Sequence, residues 1–109
     1  MTPRIGILIS GRGSNMAALL AAARLPGYPA EIAVVISNRA DAGGLELARA
    51  AGVPTQVVES KGRTRDAFEA ALDAALDAAG VRFLALAGFM RVLTEGFTRR
   101  WEGRLVNIH

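Results

Sequence analysis

Three short segments of this 109-residue chain place polar side chains where chemistry could occur. The first is Ser10-Gly11-Arg12-Gly13-Ser14-Asn15, which follows the apolar run Ile5–Ile9 and opens an Ala- and Leu-rich stretch. Glycines permit a tight turn, and the free N–H groups and dipole of a helix start attract an anion. Ser14 and Asn15 can cap that helix and also offer side-chain donors to a ligand. The segment therefore reads as a phosphate site or as an ordinary capped turn.

The second segment is Ala87-Gly88-Phe89-Met90-Arg91-Val92-Leu93. Gly88 allows close backbone approach, and the apolar residues could line a pocket for a flat ligand. On residue types alone, Phe89, Met90 and Leu93 are better read as core. The third is Asn107-Ile108-His109. On a strand, Asn107 and His109 point to one side while Ile108 faces the core. A carboxamide N–H can stabilise an oxyanion, and an imidazole can move protons near neutral pH. No acid is placed to orient the His, so on spacing alone a frayed C-terminal His beside a polar strand end is the better reading.

Other phosphate chemistries do not fit the first segment. A dinucleotide fingerprint needs a small residue where Met16 stands, and Ser37-Asn38-Arg39 supplies no acid for a ribose hydroxyl. The pattern Gly, four residues, Gly-Lys-Ser/Thr is absent as well. A monophosphate fits best.

Composition narrows the class further. The length suits one domain with one modest core, and 51% hydrophobic with 21% charged residues is ordinary for a globular chain. With no Cys and one His, disulfides, thiol nucleophiles and Cys- or His-rich metal sites are excluded, so no metal is expected. The net charge of +3 comes from twelve Arg and Lys61 against ten acids. The Arg residues are scattered, without interleaved aromatics, which disfavours nucleic acid. No apolar run is long enough for a signal peptide or a membrane span, so no membrane partner is expected and a cytoplasmic location fits.

The elements that must carry these segments are legible from periodicity. Continuous apolar runs at Ile5–Ile9, Ile32–Ile36 and Phe83–Ala87 predict strands buried on both faces. Thr55–Glu59 predicts a weaker strand, suited to an edge, and Leu105–Ile108 a fifth. Helices are predicted at Asn15–Arg24, stopped by Pro26-Gly27, at Gly44–Ala51, at Thr64–Ala79 and at Thr94–Trp101. In the third helix Phe68, Leu72, Leu76 and Ala79 share one face. Glu69, Asp73 and Asp77 form an acidic stripe beside it, read as a solvated face. The order βαβαβαβαβ, with no linker or repeat, implies a parallel sheet covered by helices on both faces. In such sheets ligands bind beyond the carboxyl ends of the strands, where all three segments lie.

Taken together, the segments resemble the N-terminal half of glycinamide ribonucleotide formyltransferase. The shared motifs are Ile-Ser-Gly-x-Gly-Ser-Asn at 9–15, Val-Ile-Ser-Asn at 35–38, Leu-Ala-Gly-Phe-Met-Arg-Val-Leu at 86–93 and Leu-Val-Asn-Ile-His at 105–109. They keep the family's order and spacing across the chain. The resemblance implies an α/β, Rossmann-like formyltransferase fold, with residues 1–109 as its N-terminal, phosphate-binding subdomain. It implies formyl transfer from 10-formyltetrahydrofolate to the amine of phosphoribosyl glycinamide, in purine biosynthesis and without a metal. Gly13, Ser14 and Asn15 would hold the substrate phosphate. Arg65, Met90, Arg91, Val92 and Leu93 would contact the folate, and Asn107 and His109 would be the catalytic pair.

In that family the chain continues past Asn-Ile-His, supplying an Asp that orients the His and much of the folate pocket. The resemblance therefore implies a sheet truncated after the fifth strand and inactive by itself. It also implies a chain prone to form homodimers or higher oligomers through its exposed sheet surface. The alternatives are a non-catalytic, phosphate-binding, self-associating module, or a different nucleotide-binding or scaffold domain. The related formyltetrahydrofolate deformylase fits less well, because it carries an N-terminal regulatory domain.

Overall fold

The structure, a computed structural model, describes residues 2–108. Five strands and four helices alternate: β1 (Arg4–Ile9), α1 (Ser14–Ala23), β2 (Glu31–Ser37), α2 (Gly44–Ala50), β3 (Thr55–Val57), α3 (Arg65–Ala78), β4 (Phe83–Ala87), α4 (Glu95–Arg100) and β5 (Leu105–Ile108). All pair in parallel, in the order β3-β2-β1-β4-β5. The sequence thus predicts the ends of each element to within one residue, apart from β3, which stops two residues earlier, at Val57 rather than Glu59.

Side-chain alternation on the strands builds two cores. Ile7, Ile9, Val35, Ala85 and Ala87 pack with Met16 and Leu20 of α1 and Leu45 and Ala48 of α2. Leu8, Val34, Ile36 and Leu84 pack on the other face with Phe68, Leu72 and Leu76 of α3 and with Phe97 and Trp101. Helices therefore cover both faces, as the apolar strands require. Each buried Leu or Phe in these layers contributes about 1.5–3 kcal/mol relative to exposure. A register shift between Ile5 and Gly6 breaks the alternation on β2, so that Ala33 and Val34 join the same core.

The acidic stripe on α3 is not a solvated face. Glu69 is buried, and Asp73 accepts hydrogen bonds from Trp101 Nε1 at 3.2 Å and Arg100 Nη2 at 2.5 Å. Only Asp77 is exposed. Periodicity located the stripe, but α4 packs across it, a contact made between distant parts of the chain.

The order of the strands determines where loops meet. The connection from β1 leads to β2 on one side, while the connection from β4 leads to β5 on the other. Between β1 and β4 the winding reverses, and in sheets of this kind the carboxyl ends at such a switch point are where ligands bind.

Candidate active site

The first loop leaves β1 at Ser10. Gly13 is the N-cap of α1 with φ of +76°, and no side chain caps the helix. Ser14 and Asn15 are therefore not caps, in contrast to the capped-turn reading above. A left-handed cap residue turns the chain by its own backbone and leaves both side chains unengaged at the helix start. Ser14 is exposed and Asn15 half-buried. A Cβ on Gly13 would lie 2.9 Å from Gly44 Cα, so the loop is also held against the start of α2. The Gly44 N–H donates to the Gly11 carbonyl at 2.9 Å and completes that contact.

The second loop leaves β4. Gly88 has φ of +72° with open space where a Cβ would stand, so the turn itself calls for glycine there. Met90 and Val92 are 80% and 72% exposed, and Arg91 is exposed too. The core reading thus fails for Met90. It is half right for Phe89, which stacks on Phe68 with ring centroids 6.3 Å apart, and for Leu93, which packs on the α3 core.

A buried chain of hydrogen bonds ties these loops together. The Met90 N–H donates to Ser10 Oγ at 2.8 Å, and Ser10 Oγ donates to Asn38 Oδ1 at 2.6 Å. Asn38 Nδ2 in turn donates to Ser60 Oγ at 3.1 Å. Ser10, Asn38 and Ser60 are all buried, and they join the segments leaving β1, β2, β3 and β4. Ser10 and Asn38 lie in the motifs at 9–15 and 35–38, where the one signal of their role is a polar residue directly after β1 and after β2. Ser60, Glu69 and Thr94 carried no such mark.

Beside the chain lies an open cleft of about 600 Å³, lined by Asn38, Arg39, Asp41, Glu59, Lys61 and Arg91 among others. Arg39 grips Asp41 through two hydrogen bonds, at 3.0 and 2.8 Å. That guanidinium holds the Asp41 carboxyl below its ordinary pKa. Lys61 and Arg91 add cationic character to the rim.

The remaining site residues are dispersed. Asn107 is exposed on β5, in register with Leu86 on β4, and so stands beside the root of the second loop. Ile108 packs on the α1–α2 core. Arg65 is exposed at the first position of α3. His109 lies outside the described residues. Among the described residues no group of three metal-ligating side chains gathers, and no helix is long and apolar enough to cross a membrane.

A doubly wound parallel sheet whose loops after β1 and β4 meet at the switch point defines the Rossmann-like α/β class. The family model described as formyl transferase matches residues 3–109, and the chain belongs to that family. It is 45% identical over 107 residues to the trifunctional purine biosynthetic protein adenosine-3 of Bos taurus, covering 97% of this chain and 11% of the relative. It is 41% identical over 106 residues to the phosphoribosylglycinamide formyltransferase of Escherichia coli K12, covering 96% of this chain and 50% of that protein. The crystal structure of the phosphoribosylglycinamide formyltransferase from Brucella melitensis superposes with a TM-score of 0.95 at 49% identity, covering 100% of this chain and 57% of that one. The chain thus spans about half the length of the single-function relatives it matches.

Proposed function

We propose that residues 1–109 form the phosphate-binding, N-terminal subdomain of a phosphoribosylglycinamide formyltransferase, acting in the cytoplasm in de novo purine synthesis. The observation that carries this reading is the hydrogen bond between Ser10 and Met90, which sets the anion-type loop and the exposed apolar loop side by side. Proteins 41% and 49% identical to nearly the whole chain are named phosphoribosylglycinamide formyltransferase.

Gly13, Ser14 and Asn15 hold the substrate phosphate with backbone and side-chain donors that nothing else in the loop consumes. The donor, 10-formyltetrahydrofolate, supplies the formyl group when bound. Met90, Arg91, Val92 and Leu93 fit such a molecule, since they combine unpartnered apolar surface with a cation for an anionic end. Arg65 offers a second cation. The substrate amine attacks the formyl carbon, and the C=O pair becomes an oxyanion that the Asn107 carboxamide stabilises through its N–H. His109 accepts the proton the amine loses and returns one to the departing amine nitrogen as the carbonyl re-forms. No metal takes part in this scheme. Self-association occurs through the β5 edge, where Val106 is exposed.

The test is a chimera in which this chain replaces the first half of the Escherichia coli relative. Formyl transfer from 10-formyltetrahydrofolate to phosphoribosylglycinamide is expected for the chimera and not for the 109-residue chain alone. A folded chimera without transfer would favour the non-catalytic module, and turnover by the chain alone would overturn the division of labour.

A further inference from the structure

We propose that Ser10 and Glu69 are positioning residues that clamp the two ends of the 88–94 loop and so present Met90–Leu93 in one conformation. The value of that presentation rests on the folate reading above; the clamp itself rests on geometry.

At the near end, Ser10 Oγ commits its proton to Asn38 Oδ1 at 2.6 Å, which leaves a lone pair to accept the Met90 N–H at 2.8 Å. At the far end, Glu69 Oε2 accepts the Thr94 N–H at 2.6 Å and Glu69 Oε1 accepts the Thr94 hydroxyl at 2.5 Å. Thr94 Oγ1 also accepts the Phe97 N–H at 3.2 Å, so one residue ends the loop and caps α4. Glu69 is only 4% exposed and Ser10 only 6%, whereas Met90 and Val92 between the ties face solvent. Burying a carboxylate or hydroxyl costs stability unless its bonds are made, so both groups hold the loop ends firmly. An apolar loop otherwise free to collapse on the core is kept outward and pre-shaped, which lowers the ordering cost of binding.

The two ties share one loop, so loosening one end is expected to loosen the other. Amide exchange measured by NMR on the chain reads this directly. Glu69→Ala should speed exchange about tenfold at Met90 as well as at Thr94, while Ile7 and Val35 in the sheet stay within about twofold. Glu69→Gln should restore both sites, since Oε1 accepts the Thr94 N–H and Nε2 donates to Thr94 Oγ1. If Glu69→Ala does not fold, Ser10→Ala gives the reciprocal result at Thr94. A Met90 rate unchanged in Glu69→Ala, or a Thr94 rate unchanged in Ser10→Ala, overturns the clamp. So does equal loosening of Ile7 and Val35, which marks a purely structural role. Tetrahydrofolate titrated into the wild-type chain should shift the Arg91 and Val92 amides, with about tenfold weaker affinity in Glu69→Ala and none lost in Glu69→Gln. Wild-type amides that do not shift count against the folate reading alone, because the exchange data judge the clamp separately.

Discussion

Gly13 and Gly44 lie backbone against backbone: a Cβ on either would come within 2.9–3.1 Å of the other's Cα. This contact fixes the loop after β1 relative to the start of α2. It also couples two positions that are 31 residues apart in the chain.

Gly13→Ala is therefore expected to cost about 2–3 kcal/mol, the sum of a left-handed backbone and a clash with backbone atoms that cannot yield. Gly44→Ala should cost about 1–3 kcal/mol despite the better helix propensity of Ala, because its Cβ would sit 2.6 Å from Ile9 Cδ1. Urea midpoints at constant slope check both. Gly11→Ala, which meets nothing within 4 Å, should lie within about 0.5 kcal/mol of wild type.

Asp73 holds α4 to α3 through Trp101 and Arg100, and its two bonds differ in worth. The Arg100 partner is half-exposed, so its ion pair contributes little, whereas the Trp101 indole N–H is buried with its ring. Asp73→Ala should then cost about 1–2 kcal/mol, and Asp73→Asn, which keeps an oxygen for the indole, less than about 1 kcal/mol. Equal losses for the two variants in thermal unfolding followed by Trp101 fluorescence would contradict this division.

These two contacts also mark how far the sequence can be read. Ile5–Ile9 and Phe83–Ala87 identified themselves as strands because burial on both faces demands an unbroken apolar run. Phe68, Leu72 and Leu76 identified the inner face of α3 through their spacing. What covers a polar face is another matter. Glu69 and Asp73 looked solvated because Thr94 and Trp101, 25 and 28 residues later, leave no mark at the acidic positions themselves. The hydrogen bond that Ser10 donates to Asn38 depends on β2 lying beside β1, which is a property of strand order and not of local pattern. For a similar reason β3 is two residues shorter than its apolar pattern suggests. Val58 is apolar and buried, yet the β2–β3 ladder ends at the pair Ser37 and Val57.

At the β5 edge, Val106 is 57% exposed and its strand has one neighbour, β4. An unprotected parallel edge of this kind invites pairing between copies. The chain should sediment as a dimer or larger species at tens of micromolar, and Val106→Lys should shift it toward monomer without lowering its melting temperature. A wild-type chain that sediments as a monomer at that concentration removes the proposed self-association.

Asn107 offers the sharpest separation of chemistry from stability. Its side chain is exposed on an edge strand, so its loss should change folding by no more than about 0.5 kcal/mol. Its carboxamide is nonetheless the group proposed to meet the oxyanion, a charge that exists only after the amine has attacked. In the chimera, Asn107→Ala should lower kcat by about 10²–10³-fold with KM little changed, the signature of an interaction made in the transition state and not in the ground state. Asn107→Asp keeps the shape but turns a donor into an anion, and should be at least as inactive. Ser14→Ala should do the reverse, raising KM for phosphoribosylglycinamide while leaving kcat within about threefold, because a phosphate remote from the reacting carbon is held equally in both states. A variant pair that moved KM and kcat together would show that the loop after β1 and the end of β5 do not divide the work between substrate binding and chemistry.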